Sequence, residues 1–172
     1  MANTTAAPTT EREHYLVSFE REYQITLRTL KAYPADKANL KWTERSNTAT
    51  QTAWTLVISQ MIVGPILTVA ALEPPKDFPA PPKDWNALVG AFEQAHRDTA
   101  KLLQSFTDAQ FTSTIVMPVG PGGATAPMRR ADALWMMLFD TVHHRGQLSV
   151  FLRASGAKVP SIYGPSGDEP WM

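Results

Sequence analysis

Four stretches of the chain repeat apolar residues at spacings of three and four, the period of one helix face. The first runs from about Glu11 to Ala32, with Tyr15, Phe19, Tyr23, Leu27 and Leu30 on its inner side, and Pro34 stops it. A polar connection, PADKANLKWTERSN, leads to the second, from about Thr48 to Leu72. This one is apolar on most sides, and Pro65 is predicted to kink it or to split off its last two turns. EPPKDFPAPPKD then places five prolines in twelve residues, a stiff connection that cannot be helix. The third pattern starts at Asp84, a plausible N-cap, and ends near Phe106; Leu88, Phe92, Ala95, Thr99, Leu102 and Leu103 form its inner stripe. The fourth runs from about Arg130 to Ser155, with Gly156 just past its end.

Two other segments complete the outline. FTSTIVMPVGPGGATAPM alternates Thr114, Val116 and Val119 around a glycine-rich turn, which predicts a short hairpin or ordered loop. KVPSIYGPSGDEPWM carries three prolines and several large apolar groups, and is expected to lie extended against the helices. The predicted fold is all-α: a four-helix bundle over residues 11–172 with long connections, a hairpin-like excursion before the last helix and an extended C-terminal tail. Residues 1–10 read as a disordered tail.

Composition narrows the chemistry. The chain has 172 residues, enough for one domain, and sixteen basic residues balance sixteen acidic ones. A neutral chain offers no electrostatic case for nucleic acid or an anionic membrane. Cysteine is absent, which excludes disulfides, thiolate ligands and a cysteine nucleophile. No charge occurs from Ser46 to Leu72, and Ala53–Leu72 is long enough to cross a bilayer. Thr55, Ser59, Gln60, Thr68 and the Gly64-Pro65 pair interrupt that run, and no basic cluster brackets it. A central helix buried on most sides fits better than a membrane span. The start lacks a charged region followed by an apolar run, so a cytoplasmic setting is expected.

The fourth helix carries the candidate chemistry. Met137, Asp140, His144, Gln147 and Phe151 share one face, so three polar groups lie between apolar ones on a line expected to be buried or to border a cavity. Asp140 and His144, four apart, can converge on one ion; a buried histidine held by a carboxylate explains the same spacing without a metal. His143 lies on the flank, able to join the pair as a third ligand or to act as a general base. Arg145 lies off this stripe, positioned to pair with Glu20 or Glu22 of the first helix. Gly146 costs about 1 kcal/mol against alanine in a helix interior, and close helix packing is the expected gain. His14 and His96, without local partners, are expected at the surface or the rim.

DTVHHRGQLSVFLRASGAKVPSIYGPSGDEP resembles the last helix and tail of DinB/YfiT-like proteins, whose most recognisable mark is HHRGQ. RSNTATQTAWTLVISQ resembles their second helix more loosely. The resemblance implies a four-helix bundle, usually a homodimer, holding a divalent metal such as zinc or nickel on three histidines. It also implies, for some members, a transferase or isomerase reaction that uses a low-molecular-weight thiol, or a related hydrolase reaction. Carried over, His144 corresponds to one ligand, while Asp140 and Thr55 stand where two further histidines are usual. Gln60 is a possible substitute donor, although five residues rotate it well away from Thr55; Gln147 could orient His144 from behind or hydrogen-bond across the core. Two readings follow: a metal-dependent enzyme with an atypical Asp/His site acting on a small molecule, or a metal-free dimeric binding protein that keeps the fold.

Overall fold

The computed structural model describes residues 7–73 and 77–171. Four long helices form the bundle: α1 (Glu11–Ala32), α2 (Ala49–Thr68), α3 (Trp85–Ser105) and, after the short α4 (Asp108–Phe111), α5 (Arg130–Ala154). An antiparallel hairpin, β1 (Thr114–Pro118) and β2 (Thr125–Arg129), precedes α5 and pairs Thr114 with Arg129 and Pro118 with Thr125. Thr10 with Glu13 and Thr48 with Gln51 form reciprocal capping boxes, and Asp84 caps α3. Of the ten residues read as a disordered tail, 1–6 lie outside the described residues, whereas Thr10 is the structured start of α1. The proline-rich connection is non-helical over 77–84; residues 74–76 lie outside the described residues.

The second helix differs from its expected form. It runs through Pro65 as one helix and stops at Thr68, not Leu72. The four residues expected to finish it are extended instead, because β1 offers an open edge. Val116 N–H donates to Ala70 O (3.0 Å), and Leu72 N–H donates to Val116 O (2.8 Å). No helix among the described residues is long and apolar enough to cross a membrane. In the hairpin itself Ile115 and Met117 are buried, so the alternation faces the core one residue out of step with Thr114 and Val116.

Two apolar clusters fill the bundle. Leu30, Ala53, Leu56, Phe92, Leu148 and Leu152 pack at one end; Tyr15, Phe19, Ile66, Leu103, Ile115 and Leu134 pack at the other. His96, expected at the rim, is buried at 5% exposure within this core. Its partners come from α1: Glu20 Oε2 lies 3.0 Å from Nε2, and the Tyr23 ring stacks on the imidazole with centroids 3.5 Å apart. A single helix could not reveal partners supplied by another.

Arg145 is the largest fully buried side chain, at 1% exposure. Its Nη1 donates to Glu22 Oε2 (2.5 Å) and to Thr26 Oγ1 (3.2 Å), so Glu22, and not Glu20, is the carboxylate of α1 that it meets. Tyr163 of the tail accepts from Arg145 Nη2 (2.5 Å) and donates to Glu22 Oε2 (2.7 Å). Arg153 binds Asp168 at 2.6 Å further along. The tail therefore lies against the bundle as expected, held by polar contacts as well as by apolar ones.

Removing one member of a buried ion pair strands the other, which costs about 3–5 kcal/mol. Arg145→Ala should show a loss of that size in urea denaturation; a loss below about 1 kcal/mol would mean that water solvates Glu22 in the folded chain.

Burial pushes the His96 pKa below its ordinary 6.5, and the hydrogen bond that Glu20 accepts opposes this only in part. The unfolded chain then takes up the proton first as pH falls. Stability from neutral His96 is thus present above the unfolded pKa and lost as pH drops towards the folded one. Between about pH 7 and pH 5, stability should fall less steeply for His96→Gln than for the native chain, as read from denaturation midpoints.

Candidate functional site

The buried line of α5 is Leu134, Leu138, Thr141, Arg145, Leu148 and Leu152. The polar stripe lies one residue back, about 100° around the helix. It therefore borders the seam with α2 instead of the centre of the core; of the two expected settings, burial does not hold for Asp140, His144 and Gln147, while Gln147 and Phe151 border a cleft. The side chains of Asp140 and His144 are 37% and 20% exposed, and Gln147 is exposed, while Phe151 at the end of the stripe is buried as expected. Four leucines and one ion-paired arginine fix the rotation, and the polar groups take the edge that remains.

On that edge a chain of polar contacts runs from α2 across α5. Ser59 Oγ lies 2.9 Å from Asp140 Oδ2 and 2.9 Å from Thr55 O, so its single proton is shared between a carboxylate and a helix carbonyl. Asp140 Oδ1 faces His144 Nε2 at 3.4 Å. His144 Nδ1 is 3.0 Å from Gln147 Oε1, and Gln147 Nε2 is 3.0 Å from His143 Nε2. The two imidazoles meet edge to face with centroids 5.0 Å apart.

The expected site residues divide accordingly. Asp140, His144, Gln147 and His143 are brought together, although His143 touches Gln147 and not Asp140 and is exposed. Thr55 stands on the seam one turn before Ser59, but its hydroxyl donates back to Gln51 O at 3.1 Å. Gln60 is buried; its Oε1 has no hydrogen-bond partner, and Thr99 of α3 donates to its backbone carbonyl, so it stands apart from the pair. Among the described residues no group of three His, Cys, Asp or Glu side chains could hold a metal ion. Ser59 was missed. Its signal was its place four residues after Thr55, on the same face of an uncharged helix.

A cleft of about 340 Å³ opens beside this chain, lined by Trp42, Asn47, Thr52, Gln147, Val150 and Phe151 among others. Trp42 leans on Phe151 with centroids 5.6 Å apart. The cleft thus offers aromatic walls and uncharged hydrogen-bonding groups, with Gln147 common to it and the histidines. A larger apolar hollow of about 490 Å³ lies along α2 against Ile58, Ile62, Pro65, Leu72 and Phe78, with Glu73 and Asp77 also lining it and no histidine. Of the polar chain, Gln147 alone lines the smaller cleft, and none of the chain lines the larger hollow.

On the outer side of α5, Gly146 has nothing within 4 Å of where a Cβ would stand, so no helix of this chain packs closely there. That corrects the expected packing role within the chain. Met136, Phe139 and Val150 lie on the same outer line and are exposed, Phe139 at 64%.

The fold and the seam define a helical-bundle protein with an aspartate–histidine pair set between its second and last long helices. The family model of the DinB family matches residues 1–171, and the chain belongs to that family. YrdA, an uncharacterized protein of Bacillus subtilis (strain 168), is 26% identical over 158 residues, covering 91% of this chain and 90% of its own. Among solved structures, a DinB-like protein of Bacillus cereus ATCC 10987 superposes with a TM-score of 0.72 at 21% identity, over 88% of this chain and 97% of its own. YfiT of Bacillus subtilis, described as a probable metal-dependent hydrolase with an unusual four-helix bundle topology, gives 0.66 at 15% identity over 91% and 95%. At such identities the superpositions establish the fold.

Proposed function

We propose that this chain is a cytoplasmic metal-dependent enzyme of the DinB family, acting on a small molecule bound in the cleft beside Gln147. The observation that carries the reading is the spacing of Asp140 Oδ1 and His144 Nε2, 3.4 Å apart on one face of α5. Two donors that share a tetrahedral zinc with bonds of about 2.0–2.1 Å are separated by about 3.3 Å. The pair therefore fits a zinc or nickel ion as an oxygen and a nitrogen donor, and Ser59 steadies the carboxylate from α2. When bound, the ion supplies a Lewis acid that polarises a substrate or activates water or a thiol. The chain has no cysteine, so a thiol-dependent transferase or isomerase reaction would draw on an external thiol. Hydrolysis needs none, and the description of YfiT supports that branch. With Thr55 in place of a nitrogen donor, an ion there would have two strong protein ligands and would be held less tightly than by three.

A second reading, a metal-free binding protein, draws on one observation: Thr55 turns its hydroxyl back to Gln51. Titration of the untagged protein with zinc chloride separates the two. Micromolar, stoichiometric binding is expected, lost in Asp140→Ala and in His144→Ala and at least about tenfold tighter in Thr55→His, which restores a donor from α2. If the native chain binds no zinc while Thr55→His does, the enzyme reading fails and the site is a relic.

We also propose that the working form is a two-fold homodimer joined along the outer line of α5. A helix-interior glycine with open space beside it, flanked by exposed Met136, Phe139 and Val150, suits close approach by a second copy. Light scattering should give twice the chain mass of 19.0 kDa. Phe139→Asp combined with Gly146→Gln should give the monomer with its helicity retained. A native monomer at micromolar concentration would sink this proposal.

A further inference from the structure

We infer that the cleft between the Trp42 loop and α5 binds a flat, uncharged ring carrying a hydrogen-bond donor and acceptor side by side on one edge, as a lactam does. This rests on the reading that a small molecule occupies the cleft beside Gln147, and it needs no metal.

The floor of the cleft holds a polar group without a partner. Thr52 lines it from α2 and is 2% exposed. A threonine in a helix can turn its hydroxyl back to the carbonyl four residues earlier, as Thr55 does to Gln51 O and Thr68 to Gly64 O. Thr52 does not, and no other described residue bonds its hydroxyl. Nor is that hydroxyl sealed in, as the orphaned Gln60 Oε1 and His96 Nδ1 are. A donor and two lone pairs are therefore held unspent at the border of the cleft.

The other walls define what would meet it. Among the described residues no charged side chain lines the cleft, so a carboxylate, phosphate or ammonium would lose hydration there with no opposite charge in return. Trp42 leans on Phe151 with planes at 43°, yet keeps 51% of its surface exposed, which leaves indole free to stack on a flat ring. Its loop is preformed. Ser46 Oγ accepts from Trp42 N–H (3.1 Å) and Thr43 N–H (3.0 Å), and donates to Thr43 O (2.8 Å). The Gln147 amide is already engaged by His144 and His143. Asn47 lines the cleft, is exposed, and has an amide bound to no described residue. An amide presents a donor beside an acceptor, and so matches the same pair reversed on the edge of a ring. A volume of about 340 Å³ is at the small end for ligand sites and suits a single or fused ring.

The test is calorimetric titration of the full, untagged chain, with a chelator present, using three flat probes of similar size. Carbostyril is a neutral lactam with N–H beside C=O, quinoline has a ring acceptor alone, and quinaldate carries a carboxylate. Carbostyril should bind one to one, at least about tenfold tighter than either of the others. Trp42→Ala should weaken it about tenfold, in the range usual for a stacked ring. Asn47→Ala should remove the preference for carbostyril over quinoline while leaving quinoline binding as it was. Thr52→Val should weaken carbostyril about fivefold, yet leave the urea midpoint unchanged or raised, because no partner within the chain is stranded. A lowered midpoint with unchanged binding would make Thr52 structural and overturn the assignment. Quinaldate binding as tightly as carbostyril would overturn it too, as would carbostyril binding that none of the three variants alters. Carbostyril bound by a chain that takes no zinc keeps this ligand class while the enzyme reading fails. Zinc bound by a chain that takes no carbostyril overturns the ligand class and leaves the enzyme reading standing.

Discussion

A guanidinium with 1% of its surface exposed must find a carboxylate, and in this bundle it finds one only if α5 is turned to face Glu22 of α1. That requirement sets the rotation of the last helix. With Arg145 inward between Thr141 and Leu148, the residues one step back fall on the α2 seam, and those one step forward fall outside. Asp140 therefore meets Ser59 and Gln147 borders the cleft, whereas Gly146 meets nothing within the chain. Tyr163 closes the pair from the tail by accepting from Arg145 and donating to Glu22. The tail is thereby tied to the same constraint that places the site.

The seam position explains the character of the polar chain. Fully buried, Asp140 would need an equally buried partner to stay ionised. Fully exposed, it would be an ordinary surface carboxylate with little hold on His144. At 37% exposure it keeps access to solvent or ligand on one side, and a fixed donor, Ser59, on the other. Such an edge leaves the Asp140–His144 pair open on one side and fixed on the other.

The sequence made the architecture legible because periodicity and punctuation agree. Pro34, Asp84 and Gly156 bound α1, α3 and α5, whose ends fall within a residue or two of those expected, and the glycine-rich segment does form a hairpin. Where the reading failed, the deciding partner came from another element. The last four residues expected in α2 were captured by the edge of β1. His96 was drawn inside by Glu20 and Tyr23. The stripe on α5 was rotated to the seam because Arg145, a charged residue, took a core position beside apolar ones. Helical spacing reveals which residues share a face, but not which of several faces points inward on a helix that is apolar nearly all round.

That last property has a consequence for the whole assembly. An ordinary surface helix of a bundle buries one stripe and presents the opposite side to water. Here α5 uses its leucine line for the core, Arg145 for α1 and the tail, and Asp140, His144 and Gln147 for the seam. What remains is the line of Met136, Phe139, His143, Gly146 and Val150, apolar enough to be costly in water and broken only by a histidine and a glycine. A glycine there gives up helix stability without any contact inside the chain that needs it. The loss makes sense if another surface approaches that side closely. A second copy of the chain on that side would bring its own His143 to the same line.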